Sequence, residues 1–172
     1  MSLSTGDARM FGLARYLPAV LSQGRMERAR EIYEQNRHRI YSLAFWMADN
    51  ELAAEELMKQ AFYGAFAHSD EPSAEDIDRA LVNELRTCFE LGTLTLDCSL
   101  CERVLNVRGN VLRVELERAV IQLPHTEKLM FLMHDVEGYE HDRIARLLGA
   151  TQDESRRGVH QARLRLRELL AK

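Results

Sequence analysis

Residues 139–163 read Tyr-Glu-His-Asp-Arg-Ile-Ala-Arg-Leu-Leu-Gly-Ala-Thr-Gln-Asp-Glu-Ser-Arg-Arg-Gly-Val-His-Gln-Ala-Arg, and this stretch decides the fold. Ile144, Ala145 and Leu148 recur at helical spacing and Gly149 follows them. After a three-residue turn, Val159, Ala162, Leu166 and Leu169 mark one face of a second helix. That outline is a helix-turn-helix. Ala145 is small where two helices must cross, and Gly149 tolerates the left-handed backbone of a tight turn. Arg156, Arg157, His160, Arg163 and Arg167 are left for the exposed side, with Gln152 at the head of the helix. Arginines in that place suit phosphates and guanine edges in a major groove. The competing reading is an ordinary helical hairpin with a solvated arginine face.

The rest of the chain has the same texture. Its 172 residues suffice for one ordinary domain or two small ones, and 46% hydrophobic residues lift it out of the disordered class. Nine glycines and three prolines are too few for a loop-rich β-sandwich. Apolar periodicity predicts helices over 10–21, 26–47, 51–68, 73–88, 111–122, 125–136, 139–148 and 152–171. Ile32, Tyr33, Ile40, Leu43, Ala44 and Met47 form the inner face of the second, and Leu52, Leu57, Met58, Ala61, Phe62, Ala65 and Phe66 that of the third. Ser73 with Asp76 resembles an N-cap for the next, which Ile77, Leu81, Leu85 and Cys88 carry. Thr93-Leu94-Thr95-Leu96 alternates like a strand, but the stretch around it reads as a connection. The expectation is an all-α protein with domains at 1–92 and 111–172 joined by a linker at 93–110.

The net charge of −4 conceals a distribution. Residues 1–67 and 103–139 balance. Residues 68–102 carry two basic against nine acidic side chains, and residues 140–172 carry eight against five. A polyanion would therefore be met by the basic C-terminal end.

Cys98-x2-Cys101 has the spacing of half a zinc site, with Cys88 upstream, yet no second pair accompanies it, so reduced structural thiols are expected. The histidines at 68, 125, 134, 141 and 160 look scattered. Met47, Met58, Met130 and Met133 lie on apolar faces, as core filler would. No phosphate loop, nucleophile motif or metal-binding His pair occurs, so neither an enzyme, a metal, a cofactor nor a small-molecule substrate is expected. Without a bilayer-length apolar run or a secretory leader, the expected location is cytoplasmic and no membrane partner is expected.

Leu123-Pro124, Phe131-Leu132, Asp135-Val136-Glu137-Gly138-Tyr139, Ile144 to Gly149, His160-Gln161-Ala162-Arg163 and Leu166-Arg167-Glu168-Leu169 resemble, in order and spacing, the promoter −35-binding domain of bacterial extracytoplasmic-function sigma factors. This resemblance covers roughly residues 115–170. Residues 26–67 are similar, more loosely, to the polymerase-binding segment of that family, through Ile32-Tyr33, Tyr41 to Ala44, Ala54 to Leu57, Phe62 and Ala65-Phe66. There Glu56 stands at the usual Asp, Lys59 at the usual Gln and Phe66 at the usual Trp.

The resemblance implies a transcription initiation factor. It would bind core RNA polymerase through Glu55, Glu56, Leu57, Lys59 and Gln60, and promoter DNA through Gln152, Arg156, Arg157, His160 and Arg163. An anti-sigma factor is a further candidate partner. Three departures bear on this. Residues 73–96, where the family places its single-strand contacts, hold one aromatic residue, Phe89, and only two basic residues, Arg79 and Arg86. Ser155 falls where an apolar residue normally packs, and Gly158 where the family often places Arg. Asp153 and Glu154 suit the helix dipole but oppose a phosphate approaching the same end. Two other readings stay open: a sigma-like interaction module without promoter melting, and a plain helix-turn-helix regulator.

Overall fold

A computed structural model describes residues 23–96 and 109–171. The predicted helix at 10–21 and the pair Cys98 and Cys101 lie outside the described residues. Seven α-helices are present among those described: α1 Gln23–Ala48, α2 Glu51–His68, α3 Ala74–Cys88, α4 Arg113–Ile121, α5 His125–Phe131, α6 His141–Leu148 and α7 Gln152–Leu170. A π-helical turn, Leu132–Val136, extends α5.

The boundaries follow from caps. Asn50 accepts the Ala53 amide at 3.0 Å and starts α2. Ser73 and Asp76 form a reciprocal capping box on α3, as their spacing predicts. Leu123-Pro124 separates α4 from α5. Two expected inward positions are corrected. Leu52 is 79% exposed, because it lies about 200° around α2 from the Ala54–Met58–Ala61–Phe62–Ala65 stripe. Cys88 is exposed, because it is the last residue of α3 and the chain turns away there.

The buried apolar residues of α1–α3 and of α4–α7 make one core, from Ile40, Phe62 and Leu81 to Met133, Ile144 and Ala162. All four methionines expected as filler are buried in it. The alternating run 93–96 is not a strand. It has no partner strand among the described residues, and α5 takes its amides instead. Thr126 Oγ1 accepts from Gly92 N at 3.1 Å, while Oε1 of the wholly buried Glu127 accepts from Thr95 N at 2.5 Å and Leu96 N at 2.8 Å. The connection leaving α3 is thereby fastened to the C-terminal helices. Among the described residues no helix is long and apolar enough to cross a membrane.

Candidate nucleic-acid interface

The α6–turn–α7 unit is built as the sequence requires. Gly149 ends α6 with φ +69°, and Ala150 N returns to Ala145 O at 3.0 Å. Thr151 then caps α7: its Oγ1 accepts from Glu154 N at 3.1 Å, and Glu154 Oε2 accepts from Thr151 N at 2.7 Å. These bonds hold the Glu154 carboxyl below the usual carboxylate range. Glu154 is thus committed to the cap, and Asp153 pairs with Arg156 at 3.0 Å. Neither carboxylate is left unpartnered at the head of α7.

Both departures inside α7 acquire a packing reason. Ser155 is fully buried, and its hydroxyl is 3.0 Å from His141 Nδ1. The His141 ring stacks on His134 with centroids 4.2 Å apart, and His134 Nδ1 meets Tyr139 O at 2.8 Å. The histidines are therefore not all scattered: the π turn brings two of them together under the helix-turn-helix. Burial, then the neighbouring His134 and Arg156, holds His141 below the ordinary histidine value. Gly158 is also buried. A Cβ there would stand 2.3 Å from Met130 Sδ and 3.0 Å from Leu94 Cδ2, so the glycine admits α5 and the fastened connection against α7.

With positions 155, 158, 159, 162 and 166 inside, Gln152, Asp153, Arg156, Arg157, His160, Arg163 and Arg167 form a continuous exposed stripe. All five residues expected to touch DNA lie on it. They are not equivalent. Arg157 makes no hydrogen bond or ion pair among the described residues. Arg163 is anchored by a two-point contact to Asp135 on the π turn, at 2.8 and 2.5 Å, which raises its pKa. Its guanidinium is half exposed, so it can still present an edge outward.

On α2, Glu56 accepts from Gln60 at 2.8 Å and from Lys59 at 3.2 Å, forming an exposed polar cluster. Those bonds lower the Glu56 pKa. Glu55 is half-buried, and Leu57, only 8% exposed, holds the helix down rather than presenting a surface.

Sequence reasoning missed a buried ionic cluster. Asp78 has no exposed surface. Its Oδ1 accepts from Arg39 Nε and Nη2, at 3.1 and 2.9 Å, and from the Tyr139 hydroxyl at 2.7 Å; its Oδ2 accepts from Arg143. The Arg143 guanidinium also lies 4.3 Å from the Tyr139 ring centre. Burial, then the Asp78 charge, pushes the Tyr139 hydroxyl far up. One signal was legible: Asp78 adjoins Ile77 and sits three and four residues before Leu81 and Val82, in the apolar stripe of α3. Its partners, 39, 61 and 65 residues away, were not.

Residues 113–166 match the family model for sigma-70, region 4. No curated protein matches the chain.

Proposed function

We propose, from the premise that residues 113–166 are a sigma-70 region 4 domain, that this protein is an extracytoplasmic-function type sigma factor. It associates with core RNA polymerase and contacts the promoter −35 element through α7. The observation that carries the reading is the exposed stripe Gln152–Arg156–Arg157–His160–Arg163, mounted on a capped helix whose other face is locked into the core. Arg157 and Arg156 face solvent and supply charge to phosphates or guanine edges, and Arg163, oriented by Asp135, supplies a fixed guanidinium. Glu56, Lys59 and Gln60 on α2 form the surface offered to polymerase, with Leu57 and Glu55 supporting it. The proposed role is one of binding rather than catalysis.

One observation favours a narrower activity, binding polymerase or a regulator without opening the promoter. Phe89, the one aromatic residue of 73–96, is engaged with His125 at a centroid distance of 4.8 Å, and α3 carries four acidic residues against two basic ones. Single-strand capture needs stacking surfaces in a cationic groove. An anti-sigma factor would act on either form by covering the same surfaces.

The deciding experiment is an electrophoretic shift with core polymerase and a −35-containing duplex, followed by transcription from a supercoiled template. A ternary complex that weakens with Glu56→Ala and Arg157→Ala is expected. Absence of any complex with core polymerase overturns the sigma reading, and duplex binding that ignores polymerase points to a plain regulator.

A further inference from the structure

His134 stands on the π turn beside Asp135, the residue that anchors Arg163 of the α7 stripe. Its Nδ1 lies 2.8 Å from Tyr139 O, and a carbonyl oxygen only accepts, so Nδ1 carries the hydrogen and Nε2 holds the lone pair. That Nε2 is 4.0 Å from Asp135 Oδ1. The same Oδ1 accepts from Arg163 Nη2 at 2.5 Å, while Oδ2 accepts from Arg163 Nε at 2.8 Å. One carboxylate thus lies between a cation of the DNA-facing stripe and an imidazole, the side chain whose charge changes between about pH 5 and 8. With the imidazole neutral, Asp135 and Arg163 cancel. A proton on Nε2 leaves the three groups with a net positive charge.

The surroundings decide which ring of the stacked pair takes that proton. His141 is kept below the ordinary histidine value by burial, then by His134 and Arg156, with Arg163 adding to them and Glu140 opposing. Two charged rings with centroids 4.2 Å apart would repel, so one proton serves the pair, and His134 is the ring with a carboxylate at hand. Other charges on the elements packed against the π turn are engaged elsewhere. Arg39 of α1 and Arg143 of α6 bind Asp78, Asp142 of α6 binds Arg146, and Glu127 of α5 binds the 93–96 connection. We propose that His134 is a positioning residue of the nucleic-acid interface: its proton, taken up at Nε2, neutralises the Asp135 charge that offsets Arg163, so in mild acid α7 meets phosphate with more net positive charge. This rests on the reading of α6–α7 as a duplex-binding unit. Proton and duplex then favour each other by the same factor. A purely structural histidine pair would leave duplex affinity indifferent to pH.

The test uses the full chain without polymerase. Binding to a fluorescent random-sequence duplex is measured by anisotropy at low salt, at about pH 7.5 and about pH 5.5, on either side of the ordinary histidine titration. Circular dichroism at each pH checks that the chain is folded. The parent for all comparisons carries His160→Gln, which removes the exposed histidine of the stripe. Into it are placed His134→Gln, His134→Lys and, as a control on the other ring, His141→Gln.

The parent is expected to bind duplex about fivefold more tightly at the lower pH, the low end of the usual coupling between sites, and with a steeper salt dependence. His134→Gln should remove that gain, and His141→Gln should keep it. His134→Lys places a permanent charge beside Asp135, so at the higher pH it should bind about as tightly as the parent does at the lower. A gain that survives His134→Gln in a folded chain overturns the proposal, as does the absence of any gain in the parent. If His134→Gln fails to fold, His134→Lys decides, and a gain as large as the parent's in that variant overturns it. If no form binds duplex at either pH, the fault lies with the DNA-binding reading itself, and the inference falls with it.

Discussion

Replacing Asp78 by Ala tests the buried cluster most directly. The carboxylate is inaccessible to water and receives four donor contacts from Arg39, Tyr139 and Arg143. Removing one partner of a buried ion pair typically costs about 3–5 kcal/mol, because the remaining charges lose their counter-ion without regaining full hydration. Here the arginine side chains retain 20% and 29% exposure, so some water reaches them once the carboxylate is gone. That places Asp78→Ala at the lower end, about 3 kcal/mol. For a chain of this size such a loss lowers the melting temperature by about 6–12 °C. Thermal melting by far-UV circular dichroism and urea titration measure it. A double-mutant cycle separates the ionic contribution from lost packing: Asp78→Ala in an Arg143→Met background should cost visibly less than in wild type. A loss below about 1 kcal/mol, or no coupling in the cycle, would refute the assignment of Asp78 as the charge that joins α1, α3 and α6.

Other expectations are smaller or more local. A Cβ at position 149 would make only an ordinary contact with Arg86 Nη2 at 4.0 Å, but Gly149→Ala must hold φ +69°, so a loss of about 1–2 kcal/mol in urea unfolding is expected, with no change in the core. Thr151→Ala deletes the cap of α7 and should cost about 1 kcal/mol. Arg157→Ala should weaken duplex binding and lower its salt slope by about one, while leaving stability unchanged. Arg163→Ala should weaken binding and stability together, because it strips Asp135 of its partner. His141 binds its proton less readily folded than unfolded, so the unfolded chain protonates first on acidification. Stability should be full above the ordinary histidine pKa and fall as pH drops below it, and His141→Gln should flatten that slope in urea midpoints measured across the range.

The legible part of this protein is the part written in local periodicity. All seven described helices and the turn at Gly149 follow from apolar spacing, the Ser73 cap, and a glycine where φ must be positive. These are properties of residues within four positions of one another, and a sequence lists such neighbours directly. The exposed arginine stripe on α7 was legible for the same reason: once the inner face is known, the outer face is fixed by 100° per residue.

What stayed hidden depends on which distant residues meet. Gly158 looks like a weakness in a helix until Met130 and Leu94 are seen against it. Ser155 looks misplaced until His141 bonds it, and Arg163 looks free until the π turn delivers Asp135. The alternating residues 93–96 keep the pattern of a strand, but Glu127 takes their amides before any strand partner can. The sequence by itself determined that this is a helical protein ending in a helix-turn-helix with a basic outer face, since both follow from short-range periodicity and composition. Only the tertiary structure decided that the acidic helix α3 closes on the arginines of α6, because a charge pair about 65 residues apart leaves no local trace until burial makes each partner indispensable to the other.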